Sequence, residues 1–183
     1  MDPAATALAD TRRWLERAVI GLNLCPFAKA VHVKGQVHYA ASEAQDAQGV
    51  LDDFARELDA LLALPPRERD TTLLVIPRGM EDFLGFNELV ARAERIVRKR
   101  RLEGVIQVAS FHPRFVFAGE AQDDVTNCTN RAPYPTLHLL REESIDRAVA
   151  AFPDAAAIYE TNMETLRRLG PEGWTALDVG PHE

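Results

Sequence analysis

Cysteine is scarce in this 183-residue chain: only Cys25 and Cys128 are present. A lone bridge between positions so far apart would add little to a chain long enough to build a real core, so both are expected as free thiols. No C-x-x-C pair and no H-E-x-x-H motif occurs, which leaves no zinc site that spacing alone can diagnose. GxGxxG, Walker and GxSxG signatures are missing as well, and with them the support for dinucleotide, nucleoside triphosphate and serine-hydrolase readings. No apolar run reaches the length of a bilayer span, and Met1 to Trp14 holds no continuous apolar stretch of the kind that drives secretion. A cytoplasmic location and no membrane partner are therefore expected. Positive charge is in deficit too: the formal net charge is −7, and a broad nucleic-acid surface needs the opposite sign. The one basic cluster, Arg92, Arg95, Arg98, Lys99, Arg100 and Arg101, ends a predicted helix, where cations suit the macrodipole, and Glu88, Glu94 and Glu103 dilute it. It reads as a solvated helix end rather than a binding patch.

What is present is an ordinary globular composition, 46% hydrophobic and 27% charged. A chain of this length buries roughly 70% of the surface its unfolded form exposes. One compact domain over residues 1–183 is expected, with no repeat, low-complexity tract or linker to divide it.

Asp10 is placed to cap a helix carrying Trp14, Leu15, Ala18, Val19 and Leu22 at helical spacing, ended by Gly21 to Pro26. Val31 to Tyr39 alternates as a first strand, or a hairpin broken at Gly35. Ser42 with Gln45 reads as a capping box before a helix bearing Leu51, Phe54, Leu58, Leu61 and Leu62, which Leu64-Pro65-Pro66 stops. Thr71 to Ile76 is short, apolar and rich in β-formers, as a buried central strand should be. A helix from about Asp82 buries Phe86, Leu89, Val90, Ala93, Ile96 and Val97. Val105 to Phe111 makes another strand, and Thr136 to Leu140 a fourth. Ile145, Ala148, Val149 and Phe152 mark a further helix. Asp154 after Pro153 caps a last one through Ile158, Met163, Leu166 and Leu169, closed by Gly170-Pro171. Strands alternating with helices at these lengths predict an α/β fold with a mainly parallel sheet of about four strands covered by helices, the direction of the fourth strand being open. Ligands in such sheets sit beyond the carboxyl ends of the strands. Ser42, Arg78 and His112 then share a rim, joined by Arg141 if the fourth strand is parallel.

The connection from His112 to Pro135 is long for a compact domain, and its content is not that of a disordered linker. His112, Arg114, Phe115, Phe117, Asp123, Asp124, Asn127, Asn130, Arg131 and Tyr134 lie within it. Titratable, cationic and aromatic side chains gathered at a sheet rim suit a small-molecule site. In that reading His112 is the general acid or base, Asp124 its orienter, and Arg131 and Arg141 a clamp for an anionic group. Asn127, Asn130 and Tyr134 complete the binding set. The competing reading is a buried polar knot in which these groups satisfy the loop's own backbone. Cys25, in Leu24-Cys25-Pro26-Phe27, is either a nucleophile at a helix start or a buried inert thiol. Cys25, His112, Asp123 or Asp124, Cys128 and His138 are chemically able to hold a metal but lack diagnostic spacing, so no metal ligand is assigned and the cofactor is left open.

Three blocks occur together: Trp14-Leu15-Glu16 leading to Gly21-Leu22-Asn23-Leu24-Cys25-Pro26-Phe27-Ala28; then Gln107-Val108-Ala109-Ser110-Phe111-His112-Pro113; then Thr129-Asn130-Arg131, Pro133-Tyr134-Pro135 and Leu137-His138-Leu139-Leu140-Arg141-Glu142. With them the chain resembles, over almost its whole length, the bacterial family known as domain of unknown function 1415. The resemblance implies no activity, cofactor or catalytic residue. The family pattern carries tyrosine at the position of Cys128 and serine at Ala132, which weakens Cys128 as a metal ligand or disulfide partner. Cys25, His112, Asn130, Arg131 and His138 match it. The leading expectation is a small-molecule enzyme acting on an anionic substrate. The alternatives are a non-catalytic module binding a metabolite or metal, and a subunit whose loop aromatics pack on a partner chain.

Overall fold

The computed structural model describes residues 2–151 and 154–182. Helix α1, Pro3–Trp14, starts at Asp2, whose side chain accepts from the Ala4 N–H, and Pro3 occupies the first turn, where a missing N–H costs nothing. The helix therefore begins earlier than Asp10 would set it, and Asp10 is buried inside it. A π-helical stretch, Leu15–Ile20, carries it on. Helix α2, Ala28–Val33, occupies part of the segment expected to open the first strand. The chain turns at Gly35, φ 68°, and strand β1 is Val37–Ala41. Helix α3, Ala47–Ala63, is capped by Asp46, which accepts from the Gly49 N–H at 3.0 Å. Ser42 instead follows β1 and donates to Asp53. Strand β2, Thr71–Val75, is buried throughout. Helix α4, Phe83–Lys99, is capped by Asp82. Strand β3, Ile106–Phe111, a 3₁₀ segment Val125–Asn130 and strand β4, Thr136–Arg141, follow. Helix α5, Glu142–Ala151, buries none of its residues, and Phe152 and Pro153 lie outside the described residues. Helix α6, Ala155–Ala176, is broken at Gly170, φ 70°, where the sequence places its end, and helical structure then resumes from Pro171.

The expected mainly parallel sheet is not what forms. Strand order is β1-β2-β4-β3; β1 pairs with β2 in parallel, but both pairings of β4 are antiparallel. Helices α3 and α4 provide the crossovers β1 to β2 and β2 to β3, as parallel strands require. Only a loop with one 3₁₀ segment lies between β3 and β4, so the chain doubles back, and β4 inserts between β2 and β3. The register Ile106↔Arg141 and Phe111↔Thr136 puts Arg141 at the opposite end of the sheet from His112, which separates the two groups that a parallel β4 would bring together. Ser42, Arg78 and His112 do follow the carboxyl ends of β1, β2 and β3, which point one way.

Strand alternation sorts two cores. Leu74, Leu137, Leu139 and Ile106 pack with Phe54, Leu58, Phe86 and Leu89 of α3 and α4. On the other face Trp14, Leu15, Ala18 and Val19 gather Val37, Tyr39 and Phe111.

Candidate functional site

The loop after β3 is closed on itself. His112 is 1% exposed between Phe83 and Phe86, at ring separations of 5.2 and 5.1 Å. Its Nε2 donates to the Met80 carbonyl at 3.0 Å and its Nδ1 accepts the Arg114 backbone N–H at 3.0 Å. Both ring nitrogens are thus engaged with backbone, and burial pushes the imidazole below its ordinary pKa against the pull of the Met80 carbonyl. Asp124 accepts from the Thr126 hydroxyl and backbone N–H, bonds that hold its carboxyl below the usual range, and it caps the 3₁₀ segment rather than orienting His112. Asn127 accepts from the Phe117 N–H and donates to the Ala121 carbonyl. Asn130 donates to the Ser110 carbonyl, and Arg131 donates to the carbonyls of Phe115 and Gln122. Phe115 and Phe117 pack on one another and on Phe83 and Tyr159, a ladder from α4 to α6. These contacts are the ones the polar-knot reading describes.

The other candidates lie elsewhere. Arg141, 8% exposed, donates to the carbonyls of Leu61, Leu64 and Arg69 and so closes the C-terminus of α3. Tyr134 donates to Asp10 at 3.0 Å. Asp10, 2% exposed, also accepts from Arg13 and from the His182 backbone N–H. Burial raises its pKa, but these donors outweigh it and hold the carboxyl below the usual range, while burial and the Asp10 contact push Tyr134 up to about 12. Cys25 is half-buried against the Trp14 cluster, and Cys128 is buried, which pushes its thiol up; both are free. Among the described residues no group of three or more His, Cys, Asp or Glu is arranged to hold a metal ion.

His138 lies on the α1 face of the sheet, where its Nε2 is 2.6 Å from the Thr71 hydroxyl, itself donating to the Leu139 carbonyl at 2.7 Å. Burial pushes its imidazole down to about 4. Above the unfolded value of about 6.5 the ring is neutral folded or unfolded. Between 6.5 and 4 the unfolded chain takes a proton that the native one refuses, so stability falls as pH drops through that window and levels below it. The loss is roughly 3 kcal/mol at about 1.4 kcal/mol per unit. Urea titrations of the native protein and His138→Gln from pH 7 to 4 should show a smaller acid loss in the variant. Parallel curves would mean that His138 is not the group responsible.

A wide concavity lies on the other side of the helical layer. Between α3 and α4 runs a groove of about 540 Å³, within the range of ligand pockets. Gln48, Leu51, Asp52 and Ala55 line it from α3, and Arg92, Arg95, Ile96 and Lys99 from α4, both sets at helical i, i+3, i+4, i+7 spacing; Arg100 closes one end. Four cations thus face one carboxylate. Arg92 donates to Gln48 at 2.9 Å and Arg100 pairs with Asp59 at 2.6 Å. Arg95 and Lys99 have no polar partner among the described residues. Leu51, Ala55 and Ile96 supply an apolar floor. The signal missed in sequence is the period of the basic run: Arg92, Arg95 and Lys99 share one face of α4, where they meet the matching stripe of α3.

Fold and groove together define an α/β protein with a mixed four-stranded sheet and a cation-lined cleft on its helical side. The chain belongs to the family described as protein of unknown function (DUF1415), whose profile matches residues 6–176. No curated protein and no solved structure matches it. No described helix is long and apolar enough to cross a membrane.

Proposed function

We propose that the protein binds an anionic small molecule in the groove between α3 and α4. The observation that carries this reading is the pair Arg95 and Lys99, one helical turn apart and without a polar partner among the described residues, beside Arg92 and Arg100 above an apolar floor. In a chain of net charge −7, a local excess of cations on a concave surface focuses the field on an incoming anion. The floor favours a ligand with an apolar or aromatic body, and Asp52, which accepts the Gln48 amide on one carboxylate oxygen, offers the other to a hydroxyl or amine. The reading is of a binding module. His112, Arg131 and Arg141 are engaged by backbone groups and Asp124 by the Thr126 hydroxyl and N–H, so an enzymatic reading through the His112 to Arg141 segment needs them to leave those partners.

Adenosine monophosphate and inorganic phosphate, titrated calorimetrically at low and high salt, test it. Binding should weaken with salt and fall about tenfold or more in Arg95→Glu and Lys99→Glu, exposed changes within ordinary surface tolerance for folding. Salt-independent binding, or affinity unchanged in both variants, places the ligand elsewhere.

A further inference from the structure

A second, smaller concavity lies at the rim where β1 and β2 end. It measures about 180 Å³, roughly six waters at about 30 Å³ each, which is room for one small metabolite. One wall is the turn Pro77-Arg78, following β2; the other is Ser42, Glu43 and Ala44, following β1; the first residues of α1 close it. Ligands of open α/β sheets sit beyond the carboxyl ends of parallel strands, and β1 and β2 are the parallel pair of this sheet.

Both walls are fixed before any ligand arrives. Ser42 donates its backbone N–H to Val75 at 2.8 Å and its hydroxyl to Asp53 at 2.5 Å, and accepts the Ala44 N–H. Gly79, next to Arg78, has φ 95°, and a Cβ there would lie 2.2 Å from the Gln45 carbonyl oxygen, so the two turns are in direct backbone contact. The Gly79 N–H is further held by Glu81 at 2.7 Å.

Within this preformed pocket Arg78 and Glu43 carry opposite charges, yet neither has a polar partner among the described residues. The Asp2 carboxylate adds a second negative charge while engaged at the Ala4 N–H. A plain anion would meet Arg78 but also two carboxylates; a plain cation would leave Arg78 unanswered. From this pairing we infer that the rim pocket is a binding site for a small zwitterion of the α-amino-acid type. Its carboxylate lies on the Arg78 guanidinium, its ammonium on Glu43, and its side chain against Pro3, Ala44 and Pro77. The site is independent of the helical groove.

Calorimetric titration of the full chain with each protein amino acid, with acetate and ethylamine as half-molecule controls, tests the inference. At least one amino acid should bind one to one, the two controls should not, and Arg78→Ala and Glu43→Gln should each lower the affinity about tenfold or more. Both side chains are exposed, so the variants should retain the native unfolding transition, which thermal melting checks. Arg95→Glu should leave amino-acid binding intact. The assignment is overturned if no amino acid binds, if acetate binds as tightly as any amino acid, or if the affinity survives both rim substitutions unchanged.

Discussion

Arg141→Met should lose about 3–5 kcal/mol of stability and leave ligand affinity in the surviving folded fraction unchanged. Arg141 is 8% exposed, and its guanidinium faces three backbone carbonyls, at 2.6 Å for Leu61 and Leu64 and 3.1 Å for Arg69. Two of these belong to the last turn of α3 and its cap, where carbonyls have no partner within the helix and the dipole is negative. Methionine keeps the aliphatic stem and removes every donor, so the loss isolates the hydrogen bonds from the packing. Urea denaturation with an unchanged slope and a lowered midpoint is the expected record. Native-like stability together with a large drop in anion affinity would instead restore Arg141 as a ligand clamp.

His112→Ala should cost a similar amount, about 3–5 kcal/mol, for a different reason. The ring fills a space between Phe83 and Phe86, and its two nitrogens tie the turn after β2, through Met80, to the turn after β3, through Arg114. Alanine leaves a cavity and two unanswered backbone groups. Because Glu81 and Arg114 are also joined, through the Glu81 carbonyl, the loop should loosen as a unit, which hydrogen exchange at residues 112–131 would register. Anion binding in the α3–α4 groove should survive at temperatures where the variant is folded. A stable His112→Ala protein would mean that the ring is held for another purpose, and an acid–base role would be the first to test.

Much of the architecture is legible along the chain. The buried run Thr71–Val75, the stripe Phe86, Leu89, Ala93 and Val97, and the break at Gly170-Pro171 each follow from local rules of period and backbone freedom, and each is found where those rules place it. One group of errors falls at helix starts, where two residues of similar chemistry compete. Asp2 and Asp10 both suit an N-cap, as do Ser42 and Asp46, and local sequence does not say which will be buried by neighbours far away. Candidate site residues show the same limit. His112, Asn127, Asn130 and Arg131 were identifiable as polar groups that a long ordered loop has to use, but whether they face a ligand or one another depends on the path of the loop.

Composition, period and capping chemistry by themselves determined that this is an α/β chain of helices and four short strands with a polar, internally demanding loop between the last two. The tertiary structure decided the direction of β4, because pairing between strands is a contact between distant segments and the loop's doubling back carries no local period. That one reversal moved Arg141 to the far end of the sheet. The same kind of long-range contact, α3 against α4, turned a basic run that reads as a solvated helix end into one wall of a groove, since a charge patch becomes a cleft only when a second element stands opposite it.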